Sequence, residues 1–105
     1  MATIITIDEI AQYVGQEVTV RGWIYNRTDK GRLQFIQLRD GTGVVQCVAF
    51  QKDMSPGEFE IAGKLTQESS VVITGEVRAD ARAPGIPGGY EVGIKSLSLV
   101  QMAEE

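Results

Sequence analysis

The sequence lacks the residues from which most catalytic and metal sites are built. It contains no histidine and one cysteine, Cys47, so an internal disulfide is impossible and a zinc site of the usual ligands is excluded. Nucleophilic and metal-assisted mechanisms therefore lack their parts. The neighbouring Glu58 and Glu60 fall in a polar segment, and Gly41-Thr42-Gly43 joins two predicted strands, whereas a phosphate-binding loop must open a helix. We expect no catalytic residues, no metal site and no enzymatic activity from this chain alone.

Long hydrophobic runs are also missing. No stretch of about 18 apolar residues occurs, and the N-terminus has no basic region followed by an apolar one. We therefore expect neither a membrane span nor a signal peptide. Hydrophobic residues make up 43% of the 105 positions, which suits one globular domain over residues 1–105. A cytoplasmic location is the natural expectation.

Charge is distributed unevenly along the chain. The net charge of −4 argues against a sequence-independent nucleic-acid coat. The segment from Arg21 to Arg39 nevertheless holds five basic residues and one acid, a balance of +4 that leaves −8 for the remainder. A basic patch on an acidic body is typical of a bounded nucleic-acid site. The alternative is a solvated hairpin edge that basic residues protect from aggregation.

The spacing of apolar residues predicts an all-β chain with two short helices. A capping box from Thr6 to Glu9 opens a helix over Ile7 to Val14. The period then changes to two, and a second, weaker helical turn is expected between Gln51 and Lys64. Asp80 to Gly89 is rich in Pro and Gly, which predicts an exposed loop. The predicted strands run from Glu17 to Arg27, Leu33 to Arg39, Val44 to Phe50, Val71 to Ala79 and Tyr90 to Leu99. Residues 1–6 are expected to be a lead-in, and residues 102–105 a frayed tail.

This order of elements predicts the OB-fold. Five short strands, with a short helix between the third and fourth, match a partly open five-stranded barrel. Gly22 and Gly75 interrupt two strands and predict the bends that a tight barrel needs. The usual ligand face of this fold is formed by its second and third strands with their bordering loops, which here fall between Val18 and Val48.

Aromatic, amide and basic side chains share one predicted face of this segment. Phe35 alternates with apolar residues, so it points away from the core, near Gln46 and Arg27. A ring to stack on an unpaired base, an amide to read its edge and a guanidinium for phosphate form a base-reading platform. The alternative for Phe35 is packing under a loop. Trp23 is interpreted as filling the bend at Gly22. Asp40 is interpreted as capping backbone amides of the turn, with Arg39 as its ion-pair partner. The alternation places Thr19, Arg21, Trp23, Tyr25 and Arg27 together on this face, with the roles of Arg21 and Tyr25 left open.

The same run resembles the N-terminal anticodon-binding domain of class IIb aminoacyl-tRNA synthetases, the aspartyl, asparaginyl and lysyl enzymes. Later segments, Thr66 to Ser70, Thr74-Gly75 and Arg78 to Val92, are most similar to the asparaginyl branch. Two departures stand out: Thr28 occupies a position where many relatives carry a second basic residue, and Ile86-Pro87 lengthens a loop. The elements that carry the resemblance are Gly22-Trp23, Arg27, Gly31, Phe35, Leu38-Arg39-Asp40, Gly43 and Val45-Gln46.

The resemblance implies a function in recognising the tRNA anticodon loop. Phe35 would stack on the central uridine, Gln46 would hydrogen-bond its edge, and Arg27 would contact the loop. The full set of candidate nucleic-acid-binding residues is Phe35, Gln46, Arg27, Arg21, Tyr25 and Lys30. No cofactor is expected, because ATP and magnesium would bind the catalytic domain of such enzymes, which this sequence does not contain. A homodimer is expected only for a full-length synthetase.

Two other functions remain open on the sequence. A free-standing OB-fold protein could bind other single-stranded nucleic acid or a protein partner. A barrel of this kind could also serve only in dimerisation, with the exposed face packed against another subunit.

Overall fold

A computed structural model describes residues 3–86 and 88–101. Within them the backbone forms strands, one α-helix and two 3₁₀ helices. The helix α1 spans Pro56–Ala62, and the 3₁₀ helices span Ile7–Tyr13 and Gln51–Asp53. The strands are β1 (Thr3–Ile5), β2 (Glu17–Asp29), β3 (Leu33–Arg39), β4 (Val44–Phe50), β5 (Ser70–Ala79), β6 (Gly85–Ile86) and β7 (Tyr90–Gln101).

The strands close into a barrel, so the predicted OB-fold is confirmed. They are ordered β1-β2-β3-β4-β7-β5, and β5 pairs again with β2 to complete the ring. The pairings of β1 with β2 and of β4 with β7 are parallel, and the others are antiparallel. The predicted helix between the third and fourth long strands is α1, with Ser55 as its N-cap and Gly63 at its end.

Two short strands were not predicted. β1 lies in the expected lead-in and pairs with the first half of β2. β6 lies in the expected loop and pairs with Val44 and Val45. Both are too short to produce a recognisable alternation, and their pairing partners are distant in sequence. The predicted tail, residues 102–105, and Pro87 of the predicted insertion lie outside the described residues.

The N-terminal helix is a 3₁₀ helix, so the apolar stripe predicted to run to Val14 is wrong. Ile7 and Ile10 are fully buried, and a spacing of three places them on one side of a 3₁₀ helix. Val14, predicted to belong to the stripe, is exposed and lies beyond the helix. The Glu9 carboxylate accepts a hydrogen bond from the Thr6 amide at 3.1 Å, as the capping box predicts.

Apolar side chains from the long strands and the helices form one core inside the barrel. The predicted inward residues Val18, Val20, Ile36, Val45 and Cys47 all belong to it. In the part of the chain that the structure describes, no helix is long and apolar enough to cross a membrane.

Candidate nucleic-acid interface

The outer surface of the barrel carries the candidate site, and the strand registers define its geometry. Directly paired residues on neighbouring strands face the same side of a sheet. Residues that pair in this way across successive strands form a row. Two rows run across the outer face from β2 to β5, and they lie about 7 Å apart along each strand. The aromatic row holds Thr28, Phe35, Val48, Gly93 and Glu76, and the polar row holds Asn26, Gln37, Gln46, Glu91 and Arg78.

Phe35 and Gln46 are neighbours on this face. Phe35 pairs with Val48, and Gln46 precedes Val48 by two residues on β4, so the two are diagonal neighbours about 7–8 Å apart. Both side chains are half-buried. Phe35 belongs neither to the core cluster nor to the residues packed against it, so its ring lies outside the barrel core. The predicted placement of the ring beside the amide is confirmed, and its contact with RNA stays a prediction.

The predicted orientation of Arg27 is wrong. The register between β2 and β3 shifts between Ile24 and Asn26, because Tyr25 is an extra residue that forms a bulge. The alternation reverses beyond it, so Asn26 takes the position on the outer face. Arg27 instead pairs with the core residue Ile36 and points towards the inner side of the sheet, at one end of the barrel.

Arg27 is held there by two hydrogen bonds. Its Nε donates to the Leu65 carbonyl at 3.1 Å, and Nη1 donates to Gln34 Oε1 at 2.9 Å. Gln34 is only 3% exposed, and its amide donates to Asp29 Oδ1 at 2.8 Å. Hydrogen bonds from the Gly31 amide and then Gln34 lower the pKa of Asp29 below its usual value. Arg27 therefore braces the β2–β3 hairpin against the segment that leads into β5.

The remaining predicted residues are spread along β2 and its turn. Tyr25 is exposed in the bulge, and Lys30 is exposed in the turn, where its amide donates to the Leu33 carbonyl at 2.9 Å. Arg21 pairs with Val72 on the opposite side of the barrel, about three rows, or roughly 20 Å, from Phe35. The structure thus brings Phe35 and Gln46 together, with Tyr25 and Lys30 at the margins, and separates Arg21 from them.

Trp23 and Arg39 contact each other on the outer face. The two are paired in register, and the Arg39 guanidinium lies 5.8 Å from the centre of the indole ring, within cation–π range. Trp23 is 43% exposed, so the interpretation that it fills the bend at Gly22 is wrong. The bend is filled by the backbone itself, since a Cβ at Gly22 would collide with the Arg39 carbonyl.

The predicted pairing of Arg39 with Asp40 is also wrong, because Arg39 forms its ion pair with Glu68 at 2.6 Å. The predicted capping by Asp40 is confirmed, since it accepts hydrogen bonds from the Ile7 amide at 2.8 Å and from the Thr42 amide and hydroxyl. Partial burial raises the pKa of Asp40, but these bonds outweigh it and hold the pKa below its usual value. Asp40 thereby ties the turn between β3 and β4 to the N-terminal helix.

The sequence analysis missed the two charged members of the polar row. Glu91 pairs with both Gln46 and Arg78. Arg78 lies flat across Gly93, where a Cβ would collide with the guanidinium, and its Nε is 3.6 Å from Glu91 Oε1. That Nε is buried and has no hydrogen-bond partner among the described residues. Alternation against Val92 could have placed Glu91 outside, but only the parallel pairing of β4 with β7 brings it beside Gln46.

Two further features of the described chain concern metal binding and thiol chemistry. Across residues 3–86 and 88–101, no group of three His, Cys, Asp or Glu side chains is arranged to hold a metal ion. Burial, with a smaller contribution from the Glu91 charge, raises the pKa of the Cys47 thiol to about 12. A buried, protonated thiol is inert as a nucleophile.

Comparison with known proteins identifies the family. The model of the OB-fold nucleic acid binding domain family of the tRNA anticodon type matches residues 18–100. The chain belongs to this family. The asparagine–tRNA ligase of Symbiobacterium thermophilum is 54% identical over 101 residues, which is 96% of this chain and 22% of that protein. The chain thus spans about a fifth of the length of such a relative.

Solved structures agree with this assignment. The asparaginyl-tRNA synthetase of Pyrococcus horikoshii, complexed with asparaginyl-adenylate, superimposes with a TM-score of 0.89 at 37% identity, over 100% of this chain and 24% of that one. An OBody bound to hen egg-white lysozyme gives a TM-score of 0.75 at 26% identity, over 88% of this chain and 86% of that one. The resemblance to the anticodon-binding domain of class IIb synthetases, closest to the asparaginyl branch, is confirmed.

Proposed function

We propose that the outer face binds the anticodon loop of a tRNA, and that an unpaired uridine at the loop centre stacks on Phe35 while Gln46 reads its edge. The observation that carries the proposal is the diagonal placement of Phe35 beside Gln46 on the outer face of the barrel. The family match and the asparagine–tRNA ligases among its relatives support the choice of tRNA as ligand.

The chemistry of both side chains suits a pyrimidine. A uracil edge offers one N–H donor flanked by carbonyl acceptors, and a glutamine amide carries a matching carbonyl and NH₂ group. The Phe35 ring supplies a stacking surface that fixes the base at the distance where the Gln46 amide can reach it. Stacking provides most of the affinity and the amide provides the preference for uridine.

Arg27 points away from this face, but it keeps hydrogen-bond donors for the loop at the end of the barrel. It uses Nε and one Nη1 hydrogen in its internal contacts, so three of its five N–H groups remain. They border a small pocket of about 170 Å³ that Arg27 shares with Asn26 and Gln67.

We assign the binding of the other substrates to other parts of such ligases. Under this proposal ATP, magnesium and the amino acid bind a catalytic domain, and the homodimer of the full-length enzyme forms there. The present chain contributes recognition of the tRNA, and we expect a cytoplasmic location for it.

Substitution of Phe35 tests the proposal. The Phe35→Ala chain should bind a uridine-centred anticodon stem-loop more weakly by about 1–3 kcal/mol, the contribution of one base–aromatic stack. Binding is measured by calorimetric titration at fixed salt. Because Phe35 lies outside the core cluster, the variant should keep its fold, which far-UV circular dichroism checks.

A matched control lies at the other end of the barrel. Gln12 is exposed on the N-terminal helix, and Gln12→Ala should leave the affinity unchanged. If Phe35→Ala and Gln12→Ala bind the stem-loop equally well, the proposed stacking site is wrong.

A second candidate function is docking of a protein partner. It is favoured by the likeness to an OBody that was solved bound to lysozyme, and by the exposed apolar side chains of Trp23 and Val100, which border a cavity of about 370 Å³. The test is calorimetric titration with a protein partner. Binding of that protein that is lost on Trp23→Ala but kept on Phe35→Ala would support this function over RNA binding.

A further inference from the structure

A second concave surface lies next to the Phe35 row. Arg32, Phe50, Gln51 and Lys52 line a cavity of about 450 Å³, which we call the Phe50 cleft. Leu33 pairs with Phe50, one row beyond the pairing of Phe35 with Val48. The cleft is therefore about 7 Å from the stacking position, which is roughly one nucleotide step along an extended strand.

The distribution of ion pairs marks this cleft as electropositive. Of the ten basic residues, five pair with carboxylates: Arg39, Lys64, Arg78, Arg82 and Lys95. Among the described carboxylates, none lies within ion-pair distance of Lys30, Arg32 or Lys52. These three exposed cations cluster around the turn between β2 and β3 and the end of β4, so their charges are not neutralised within the chain.

The acidic residues next to these cations in the sequence, Asp29 and Asp53, do not line the cleft. Asp29 accepts from the Gly31 amide and from Gln34. Asp53 lines a different cavity, which it shares with Glu76 and Arg78. An anion in the Phe50 cleft would therefore meet cations without displacing an internal acid.

A backbone hydrogen bond joins the two sides of the cleft. The Gln51 amide donates to the Arg32 carbonyl at 2.9 Å, which fixes the start of β3 against the end of β4. Phe50 is half-buried at the end of β4, and Lys52 Nζ lies 5.7 Å from the centre of its ring. The cleft therefore combines the apolar ring of Phe50 with the cationic side chains of Arg32 and Lys52.

We propose that the Phe50 cleft holds the backbone of a nucleotide that flanks the base stacked on Phe35. Arg32 and Lys52 neutralise its phosphate, and the Phe50 ring packs against its sugar. The site does not select a base, because its charged groups contact only the backbone. This inference rests on the proposed function and extends the site from the stacked base to the backbone beside it.

Charge removal at exposed positions tests the cleft without disturbing the core. The test variant carries Arg32→Gln and Lys52→Gln. The matched control carries Lys64→Gln and Lys95→Gln, which removes the same total charge from residues whose side chains are mainly exposed. Each protein is titrated at several salt concentrations with an anticodon stem-loop that has a seven-nucleotide loop, and with the anticodon trinucleotide alone.

For the stem-loop, the cleft variant should bind more weakly than the control, and its slope of log affinity against log salt should be smaller by about 0.7, the contribution of one single-strand phosphate. The trinucleotide contains the nucleotides on both sides of the stacked base, so the cleft variant should bind it more weakly than the control does. Equal slopes for both variants on the stem-loop, or equal affinities of both variants for the trinucleotide, would overturn the flanking site.

The Phe35→Ala chain separates the two proposals. If it binds as tightly as the native chain, the proposed function itself fails. If it binds weakly while the cleft variant matches the control, the anticodon site stands and only the Phe50 cleft is wrong.

Discussion

Replacing Arg27 by methionine should destabilise the fold far more than replacing an ordinary surface arginine. Methionine keeps much of the length of the side chain but donates no hydrogen bonds. The Leu65 carbonyl and Gln34 Oε1 then lose the donors that lie at 3.1 and 2.9 Å. An exposed arginine that only contacts RNA would give a change within about 0.5 kcal/mol.

The size of the effect follows from the two acceptors. Gln34 is only 3% exposed, and leaving a buried acceptor unsatisfied costs about 1–3 kcal/mol. The Leu65 carbonyl borders a pocket that water can enter, so we assign it about 1 kcal/mol. Together they predict a loss of about 3 kcal/mol in the free energy of unfolding for Arg27→Met.

Urea denaturation, followed by circular dichroism, measures this loss. Arg21→Met is the matched control, because Arg21 is exposed on the same strand and makes no hydrogen bond or ion pair among the described residues. Gln34→Met completes a double-mutant cycle, in which the double variant should lose about 1–2 kcal/mol less than the sum of the singles. Equal losses for Arg27→Met and Arg21→Met, or strict additivity with Gln34→Met, would refute the brace.

Three further perturbations follow from the same geometry. Asp40→Asn should cost about 1 kcal/mol at pH 7, because the Ile7 amide loses a charged acceptor. The pKa of Asp40 is lowered on folding. The difference in the free energy of unfolding between the native chain and Asp40→Asn is therefore complete above the ordinary pKa of 3.8, and it vanishes as the pH falls through the folded value. Urea titrations at pH 7 and pH 3 measure this difference. Cys47, with a pKa of about 12, should react with a thiol reagent at pH 8 only as fast as the chain unfolds, and a rate matching that of free cysteine would contradict this. Gly22→Ala should cost about 1–3 kcal/mol in urea titrations, because its Cβ meets the Arg39 carbonyl, and a neutral result would contradict the close approach.

The sequence carried enough information to predict the barrel and the central pair of the site. Alternation of apolar residues is local, so Phe35 and Gln46 could be oriented from their own strands. Their adjacency followed once two neighbouring strands were joined by the tight turn at Asp40-Gly41. The short helix before the fourth long strand was predictable from Ser55, Pro56 and Gly63, which act through local capping.

Features that depend on distant pairing were not predictable. A bulge at Tyr25 reverses the alternation without leaving a glycine at that position, so the orientation of Arg27 was wrong. Glu91 and Arg78 join the site only because β7 runs parallel to β4 and antiparallel to β5, and no local pattern records that arrangement. The ion pair between Arg39 and Glu68 likewise joins residues far apart in the chain.

The preference for uridine at the loop centre tests the central claim most directly. Native chain and Gln46→Ala are titrated with two anticodon stem-loops that differ only in a central uridine or adenine. We predict that the native chain prefers the uridine loop by about 1–3 kcal/mol, the usual contribution of a paired edge contact, and that Gln46→Ala loses most of this preference while Phe35 still supports binding. Equal affinity of the native chain for the two loops would contradict the account.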